Sequence, residues 1–309
     1  MVVLHHNDLD GRCAAAIVYR WAGITHPKGK SDFIEMDYAK AVPFDKIEKD
    51  EQVFILDFSL SVEDMRKLLK ITDNVVWIDH HKTAIDRFNS SEIKGVRNTA
   101  DSGCVLTWKY IHWWSGRGSD WEDLTKPCPR GLEVPRAVAM IGDYDTWTLK
   151  IPNSTEFYEG CKMLDTTDIG SDDWRALLME EAEGVDGTGK PLPRKDVCTR
   201  VIEMGKTAIK YRDAYCEDMC SSYGFETDFD GHNIFVCNIY RFGSNGFLAR
   251  MDKYPICAAC IYDGSQWSIS LYSKRPDINV GELCKKHGGG GHKGAAGFVS
   301  KEFPFVRSK

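Results

Sequence analysis

The sequence predicts an α/β protein in which a parallel-sheet N-terminal domain is joined by a linker helix to a smaller α+β domain. In the first part, short apolar runs that each end in histidine or aspartate alternate with helix-like segments. A long helical stripe then follows, and a strand-like pattern resumes after it. We place the catalytic and metal-binding domain at residues 1–190, the linker and connecting helix at 191–222 and the second domain at 223–309.

Three β-rich runs define the first sheet: Val2–Leu4, Val53–Leu56 and Val75–Ile78. Helix-like segments lie between them at Gly11–Trp21 and Val62–Leu69. Near-continuous apolar strands that alternate with helices are typical of a parallel sheet buried on both faces. Open sheets of this kind bind ligands at the carboxyl ends of their strands. The polar residues that follow the three runs are therefore expected to lie together.

The remaining elements complete both domains. Further helices are predicted at Gly103–Trp114 and Pro135–Ile141, with a loop-like insertion at 115–133 between them. Residues 184–195 are a glycine- and proline-rich loop, and apolar residues from Val197 to Tyr215 recur at helical spacing. The second domain should contain three strands and a last helix, at Asn233–Ile239, Ile256–Tyr262, Trp267–Tyr272 and Val280–Lys286.

Composition restricts the class of protein. A net charge of −6 argues against a general binder of long nucleic acids. There is neither a leader-like segment nor an apolar run long enough to cross a membrane, so we expect a cytoplasmic protein without membrane contact. The chain has 11 cysteines, including the pair Cys257 and Cys260 and the pair Cys216 and Cys220. Cys257 and Cys260 form a CxxC motif, but no second CxxC motif is present to complete a zinc site. Buried core thiols are therefore favoured over a zinc site.

Histidine and aspartate residues at the strand and helix ends are the candidate chemical groups. Each has an ordinary explanation alone, since Asp10 could simply cap a helix and paired histidines are common at surfaces. Together they form a mixed imidazole–carboxylate set whose acids would repel one another without cations. Two divalent cations would balance them, and this donor set favours Mn²⁺, with Co²⁺ or Mg²⁺ as substitutes. The predicted ligands are His6, Asp8, Asp10, Asp57, His80 and Asp143.

Five motifs resemble those of a known family. HHNDLDG, ILDFS, WIDHH and IGDYDTW are similar, in this order, to the four motifs of the DHH phosphoesterases. GGGGHKGAAGF is similar to the signature of the DHHA1 domain that follows in one branch of that family, the branch of nanoRNases and oligoribonucleases. The resemblance covers almost the whole chain.

The resemblance implies a di-manganese centre. One ion would be held by His6, Asp8 and Asp57, and the other by Asp10, Asp57, His80 and Asp143, with Asp57 bridging. His6 is preferred over His5 because the family spacing is HxDxDG, and His5 is assigned a structural role. Motif four leaves a choice between Asp143 and Asp145, of which Asp143 is preferred because it directly follows the helix-end Ile-Gly. Asp57, Asp79 and His81 are the predicted catalytic residues. Asp79 would orient a ligand, and His81 would contact phosphate or donate a proton.

The resemblance also implies that the glycine-rich stretch binds the nucleotide end of a substrate. Glycines allow backbone amides to approach an anion, and a His-Lys pair adds charged donors. The predicted substrate-binding residues are Gly289, Gly290, Gly291, His292, Lys293 and Arg241. Many DHHA1 domains carry an arginine in the preceding strand. Here Tyr272 stands in its place, or Lys274 and Arg275 supply the charge.

The expected function is a manganese-dependent phosphoesterase that acts on short oligonucleotides or nucleotides through a metal-activated water. The alternatives are a polyphosphatase or single-strand DNA exonuclease on the same metal site, and a non-catalytic nucleotide sensor. A homodimer is an open alternative to a monomer. The tryptophan-rich segment, with Trp108, Trp113, Trp114 and Trp121, is interpreted as core or subunit contact in preference to a base-stacking surface.

Overall fold

The computed structural model describes residues 1–27, 29–38, 40–87, 93–114, 133–179, 196–240 and 242–306. The chain divides into two compact units, Met1–Lys206 and Thr207–Lys309. The division falls inside a helix rather than in an extended linker, and the sequence-based end of the first domain at residue 190 lies outside the described residues. None of the helices in the described ranges combines the length and the apolar character needed to cross a membrane.

Unit 1 contains a four-stranded parallel sheet in the order β2-β1-β3-β4. Its strands are β1 Val2–His6, β2 Asp32–Met36, β3 Val53–Leu56 and β4 Val75–Ile78. The three strands predicted from apolar runs are confirmed. β2 was missed because its sequence, DFIEM, mixes charged and apolar residues and lies half-buried at the sheet edge.

Helices cover both faces of this sheet. They are α1 Leu9–Thr25, α2 Val62–Ile71, α3 Lys82–Arg87, α4 Gly103–Lys109, α5 Arg136–Asp145, α6 Ser154–Cys161 and α7 Asp172–Met179. Alternate strand residues point to opposite sides: Val3 and Phe54 pack in the core with α1, α4 and α5, whereas Leu4 and Ile55 pack in the core with α2. This two-sided burial explains why the strands read as continuous apolar runs.

Two predicted helices differ from the observed ones. The helix expected at Gly103–Trp114 is α-helical only to Lys109 and continues as a π-helical turn, Tyr110–Trp114. The helix expected to end at Ile141 continues to Asp145 as α5. Trp108 packs against the core of unit 1, as expected, while Trp121 and the side chains of Trp113 and Trp114 lie outside the described part of the chain.

The helix α8, Val197–Tyr223, contributes to both units. Its beginning supplies Val201 and Ile202 to the core of unit 1, and its end supplies Cys216 and Cys220 to a core of unit 2. The predicted apolar stripe therefore reflects burial within each unit along one continuous helix.

Unit 2 contains a six-stranded mixed sheet in the order β5-β6-β7-β8-β10-β9. Only the β6–β7 pair is parallel within this sheet. The strands are β5 Phe225–Phe229, β6 His232–Cys237, β7 Ile256–Tyr262, β8 Trp267–Tyr272, β9 Gly290–Gly291 and β10 Ala295–Ser300. The helices are α9 Arg250–Lys253 and α10 Val280–Lys286, with a 3-10 turn at Gly243–Phe247. The α/β fold class is thus confirmed.

The thiols are buried, as expected. Ten of the cysteines lie in the described residues; all ten are buried, and none of them forms a disulfide bond. The eleventh, Cys128, lies outside the described ranges. No cysteine belongs to a cluster able to hold a metal ion among the residues that the structure describes.

Candidate metal centre

The carboxyl ends of three neighbouring strands bring the motif residues together. His6 ends β1, Asp57 directly follows β3 and Asp79 directly follows β4. The strands are in register, with His5 beside Leu56 and Leu56 beside Ile78. His6, Asp57 and Asp79 are therefore successive positions along one edge of the sheet, as the sequence predicted.

Asp57 occupies the middle of this edge in an unusual state. Its side chain is 1% exposed, and its φ of 55° is in the left-handed region that non-glycine residues rarely adopt. Neither carboxylate oxygen accepts a well-formed hydrogen bond. Burial, together with the nearby charge of Asp10, raises the pKa of Asp57 well above its usual range. A buried carboxylate in this state is stabilised by a cation.

The first group of candidate ligands consists of His6, Asp8 and Asp57. Nδ1 of His6 lies 2.7 Å from Oδ2 of Asp8 and 3.7 Å from Oδ2 of Asp57. These two carboxylates raise the pKa of His6 to about 10. The other oxygen of Asp8 accepts a hydrogen bond from Gly11 N at 2.9 Å and so caps α1. One carboxylate thus serves both the helix cap and the site.

The second group consists of Asp10, His80 and Asp145. Nε2 of His80 lies 3.3 Å from Oδ2 of Asp145 and 4.0 Å from Oδ2 of Asp10. It also lies 3.1 Å from Oδ1 of Asp57, which connects the two groups. Burial and the charge of Asp10 raise the pKa of Asp145 to about 7. Each group combines imidazole with carboxylate oxygen, the donor set suited to Mn²⁺ and related divalent ions.

Asp143, the residue preferred from sequence, is not in either group. Its carboxylate accepts hydrogen bonds from Lys150 N at 2.8 Å and Ile151 N at 3.0 Å. It also accepts from the hydroxyls of Thr148 and Ser154. Although burial acts in the opposite direction, these hydrogen bonds lower the pKa of Asp143 to about 2.

Asp145, rather than Asp143, groups with Asp10 and His80, and both acids lie in α5, which extends beyond the predicted end at Ile141. Side chains two positions apart on a helix do not face the same way. Once α5 includes both acids, one faces the strand ends and the other faces the following turn. The geometry favours Asp145 as the ligand from motif four.

Asp79 and His81 lie beside the two groups. Asp79 is fully buried, and its Oδ1 accepts a hydrogen bond from His81 N at 3.1 Å and lies 2.8 Å from His81 Nδ1. This contact raises the pKa of His81. His81 is grouped with Asp57 and His80, and 36% of its side chain is exposed. Asp79 is thus placed to orient His81. His5 is buried, with Nδ1 2.9 Å from the carbonyl oxygen of His6, and belongs to no candidate ligand group in the described residues.

Residues 102–104 support the site and were not identified from the sequence. Ser102 Oγ, Gly103 N and Cys104 N donate hydrogen bonds to the Asp10 carboxylate at 2.8, 2.7 and 3.0 Å. Gly103 also lies against Asp57, because a Cβ there would be 2.5 Å from Asp57 Cβ. Two of the three donors are backbone amides, which every residue type except proline has, so they produce no recognisable pattern in the sequence. The one available signal was a Ser-Gly step before a predicted helix.

The glycine-rich stretch in unit 2 is closely packed backbone. A Cβ at Gly289 would be 2.1 Å from Gly297 O, and one at Gly291, whose φ is 141°, would be 2.6 Å from Ala296 Cα. The side chains of His292 and Lys293 are exposed. Gly290 pairs with β10, and its role in substrate binding, like that of the others, stays a prediction.

The other residues of unit 2 that were predicted to contact substrate either lie outside the described residues or contact other side chains. Arg241 lies outside the described ranges. Lys274 pairs with Asp252 at 2.9 Å, and the ring of Tyr272 lies 6.1 Å from that of Phe247.

A curated protein is similar to this chain in sequence. An uncharacterized protein, R106 of Acanthamoeba polyphaga mimivirus, is 25% identical over 264 residues, which are 82% of this chain and 54% of that protein. The chain thus spans about half the length of the curated relative that it matches.

Solved structures share the fold. The DHH domain of PF0399, described as a member of a family of ribosomal proteins, is 14% identical with a TM-score of 0.53, covering 99% of this chain and 82% of that one. Exonuclease RecJ bound to manganese is 13% identical with a TM-score of 0.51, covering 97% of this chain and 85% of that one.

The N-terminal part of the chain matches a family model. Residues 1–131 match the model of the DHH family, N-terminal domain. This range includes β1 to β4 and every candidate ligand except Asp145. The N-terminal part of the chain is thus similar to the N-terminal domain of the DHH family.

Proposed function

We propose that this chain is a metal-dependent phosphoesterase that hydrolyses phosphodiester or phosphomonoester bonds of short oligonucleotides or nucleotides. The observation that carries the proposal is Asp57, a buried carboxylate without a well-formed hydrogen bond that is shared by groups of histidine and aspartate. Structural carboxylates in protein interiors have hydrogen-bond partners. A carboxylate that lacks them, beside other acids, is suited to bridging two cations.

The donor set fits two divalent ions, for which Mn²⁺ is the proposed identity. His6, Asp8 and Asp57 would hold one, and Asp10, His80, Asp145 and Asp57 would hold the other. When bound, two such ions lower the pKa of a shared water and neutralise phosphoryl oxygens. The RecJ structure, which shares the fold, contains manganese.

The chain's own residues supply orientation. The backbone amides of residues 103 and 104 donate hydrogen bonds to the Asp10 carboxylate and so hold it beside His80 and Asp145, the other members of the second group. Asp79 holds His81 by its Nδ1, which leaves Nε2 free to face a substrate. His81 in this orientation would donate a hydrogen bond to a phosphoryl oxygen or a proton to the leaving oxygen.

Short nucleic-acid substrates are proposed over the alternatives. The glycine-rich stretch with His292 and Lys293 offers exposed donors for a nucleotide, although these residues belong to unit 2 and their role is part of the proposal. A panel of dinucleotides, 24-nucleotide strands, phosphoadenosine phosphate and polyphosphate compares the substrate classes. Fastest hydrolysis of polyphosphate would contradict the substrate proposal while leaving the reaction type in place.

The reaction type is tested by hydrolysis of methyl 4-nitrophenyl phosphate with added Mn²⁺. Asp57→Asn should abolish it, because asparagine keeps the shape and the left-handed backbone preference but not the charge. Asp50→Asn is the matched control, since Asp50 also has a positive φ, of 62°, and is exposed. Full activity of Asp57→Asn, or no metal-dependent hydrolysis by the wild-type protein, would refute the proposal.

A further inference from the structure

The segment that follows Asp145 is held in a strained conformation. Three non-glycine residues in this segment, residues 146–153, have left-handed φ angles: Trp147 at 54°, Leu149 at 48° and Asn153 at 66°. For bulky side chains such angles are unfavourable and persist only where surrounding contacts enforce them. The four hydrogen bonds accepted by the Asp143 carboxylate supply that enforcement. The direction in which Trp147 projects is therefore built into the fold.

Trp147 is the outer member of an aromatic row. Its side chain is 68% exposed, and its ring centroid lies 5.4 Å from that of Tyr144. Tyr144 in turn stacks on Tyr158, with centroids 3.9 Å apart and ring planes 19° from parallel. A strained backbone that presents a large aromatic side chain to solvent gains no core packing from it. This combination indicates a surface that binds a flat partner.

The aromatic row lies beside the candidate metal centre. Trp147 is two positions after Asp145, so their Cα atoms are within about 7.6 Å of one another. Tyr144, the middle ring of the row, directly precedes Asp145 in the chain and stacks on Tyr158. The row is thus next to one of the candidate ligands. The distance between Trp147 and Asp145 is short enough for one nucleotide to contact both Trp147 and the metal centre.

We propose that Trp147, supported by Tyr144, stacks on a nucleobase of the substrate whose scissile phosphate lies at the metal centre. This inference rests on the proposed phosphoesterase function and adds a specificity-determining residue to it. Stacking on an aromatic side chain recognises a base without regard to its identity, because every base has a π face. Trp147 would then favour nucleotides of any sequence over inorganic polyphosphate, which has no ring to stack.

The test compares two substrates with the same leaving group. Thymidine 5′-(4-nitrophenyl phosphate) carries a base, and methyl 4-nitrophenyl phosphate does not. Trp147→Ala should lower kcat/KM for the thymidine ester about tenfold more than for the methyl ester, chiefly through KM. Trp147→Phe should recover most of the difference, since it keeps an aromatic face. Leu149→Ala is the matched control: Leu149 is 44% exposed, has a φ of 48° and lies in the same segment. Leu149→Ala should leave kcat/KM unchanged for both esters.

The outcomes separate the two proposals. The inference would be overturned if Trp147→Ala lowered kcat/KM equally for both esters. It would also be overturned if Leu149→Ala reduced the preference for the thymidine ester as much as Trp147→Ala does, because Trp147 would then only shape the segment. If the wild-type protein hydrolyses neither ester, the phosphoesterase proposal fails. Binding of thymidine monophosphate, followed by tryptophan fluorescence in the wild type and in Trp147→Ala, then decides the stacking proposal. Equal quenching in both proteins overturns it.

Discussion

A methyl group at position 103 should displace the central carboxylate of the site. Gly103 begins α4, and a Cβ there would lie 2.5 Å from Cβ and 2.7 Å from Oδ1 of Asp57. Ordinary contacts begin at 3.4 Å, so Gly103→Ala requires the two residues to separate by about 0.9 Å. Neither can move freely, because Asp57 is buried in a strand end and Gly103 N is bonded to Asp10.

The expected size of the effect follows from this displacement. Metal–ligand distances tolerate deviations of only about 0.2 Å, so a shift close to 1 Å takes Asp57 out of coordinating position. We expect Mn²⁺ affinity to fall about 10- to 100-fold, as for changes in groups that orient ligands. Overpacking should also cost about 1–3 kcal/mol of unfolding free energy, or a decrease in Tm of about 2–10 °C.

Calorimetric titration of EDTA-treated protein with MnCl₂ measures the affinity, and thermal unfolding without metal measures the stability. Gly23→Ala is the control, because Gly23 lies in α1 with no atom within 4 Å of an added Cβ. It should leave the affinity unchanged and increase stability by up to about 1 kcal/mol. Wild-type Mn²⁺ affinity in Gly103→Ala would refute the assignment of Asp57 as a ligand held against Gly103.

Three further predictions concern residues around the site and the packing of unit 1. Asp143→Asn should destabilise the metal-free protein by about 1–3 kcal/mol near pH 6, since asparagine keeps one acceptor oxygen for a carboxylate that had two. The pKa of Asp143 in the folded protein, about 2, lies below the ordinary 3.8, so the stability advantage of the wild type over Asp143→Asn is complete above pH 4 and is lost as the pH falls towards 2. Urea unfolding of both proteins across this range measures the difference in unfolding free energy, and a difference that does not change with pH would contradict the prediction. Asp79→Asn should lower the pKa of His81, followed by NMR titration of metal-free protein, and reduce hydrolysis about 10- to 100-fold; an unchanged His81 pKa would show that Asp79 does not hold it. Gly205→Ala should lower the Tm through a clash 1.6 Å from the carbonyl oxygen of Glu156, and an unaltered Tm would exclude this close approach of α6 and α8.

The sheet edge was predictable because its signal is local. β3 and β4 are continuous apolar runs followed at once by aspartate, and β1 begins with such a run and ends in two histidines. Parallel strands place such ends together. The same rule placed the histidines at the ends of β1 and β4 beside Asp57 without knowledge of the helices that cover the sheet, and the spacing of the resembled family then selected His6 over His5.

Other features depend on contacts that residue types do not encode. The choice between Asp143 and Asp145 required the end of α5, and helix ends are poorly determined by periodicity because the last turn depends on tertiary hydrogen bonds. The support of Asp10 comes mostly from backbone amides, which any residue type supplies. The aromatic row was missed because Tyr144 and Tyr158 are separated by 14 positions and meet only through the packing of α5 on α6.

The buried thiols can be used to measure how often each unit of the chain unfolds. Cys13, Cys104 and Cys161 are spread through the core of unit 1, and Cys237 and Cys257 lie within that of unit 2. A thiol reagent added to folded protein can reach these sulfurs only when the surrounding unit opens. Labelling rates resolved by mass spectrometry would therefore give a separate opening free energy for each unit, without an added probe. Divalent ions bound in unit 1 should slow the labelling of its own cysteines first, so that ligand binding is recorded at atoms that never touch the ligand.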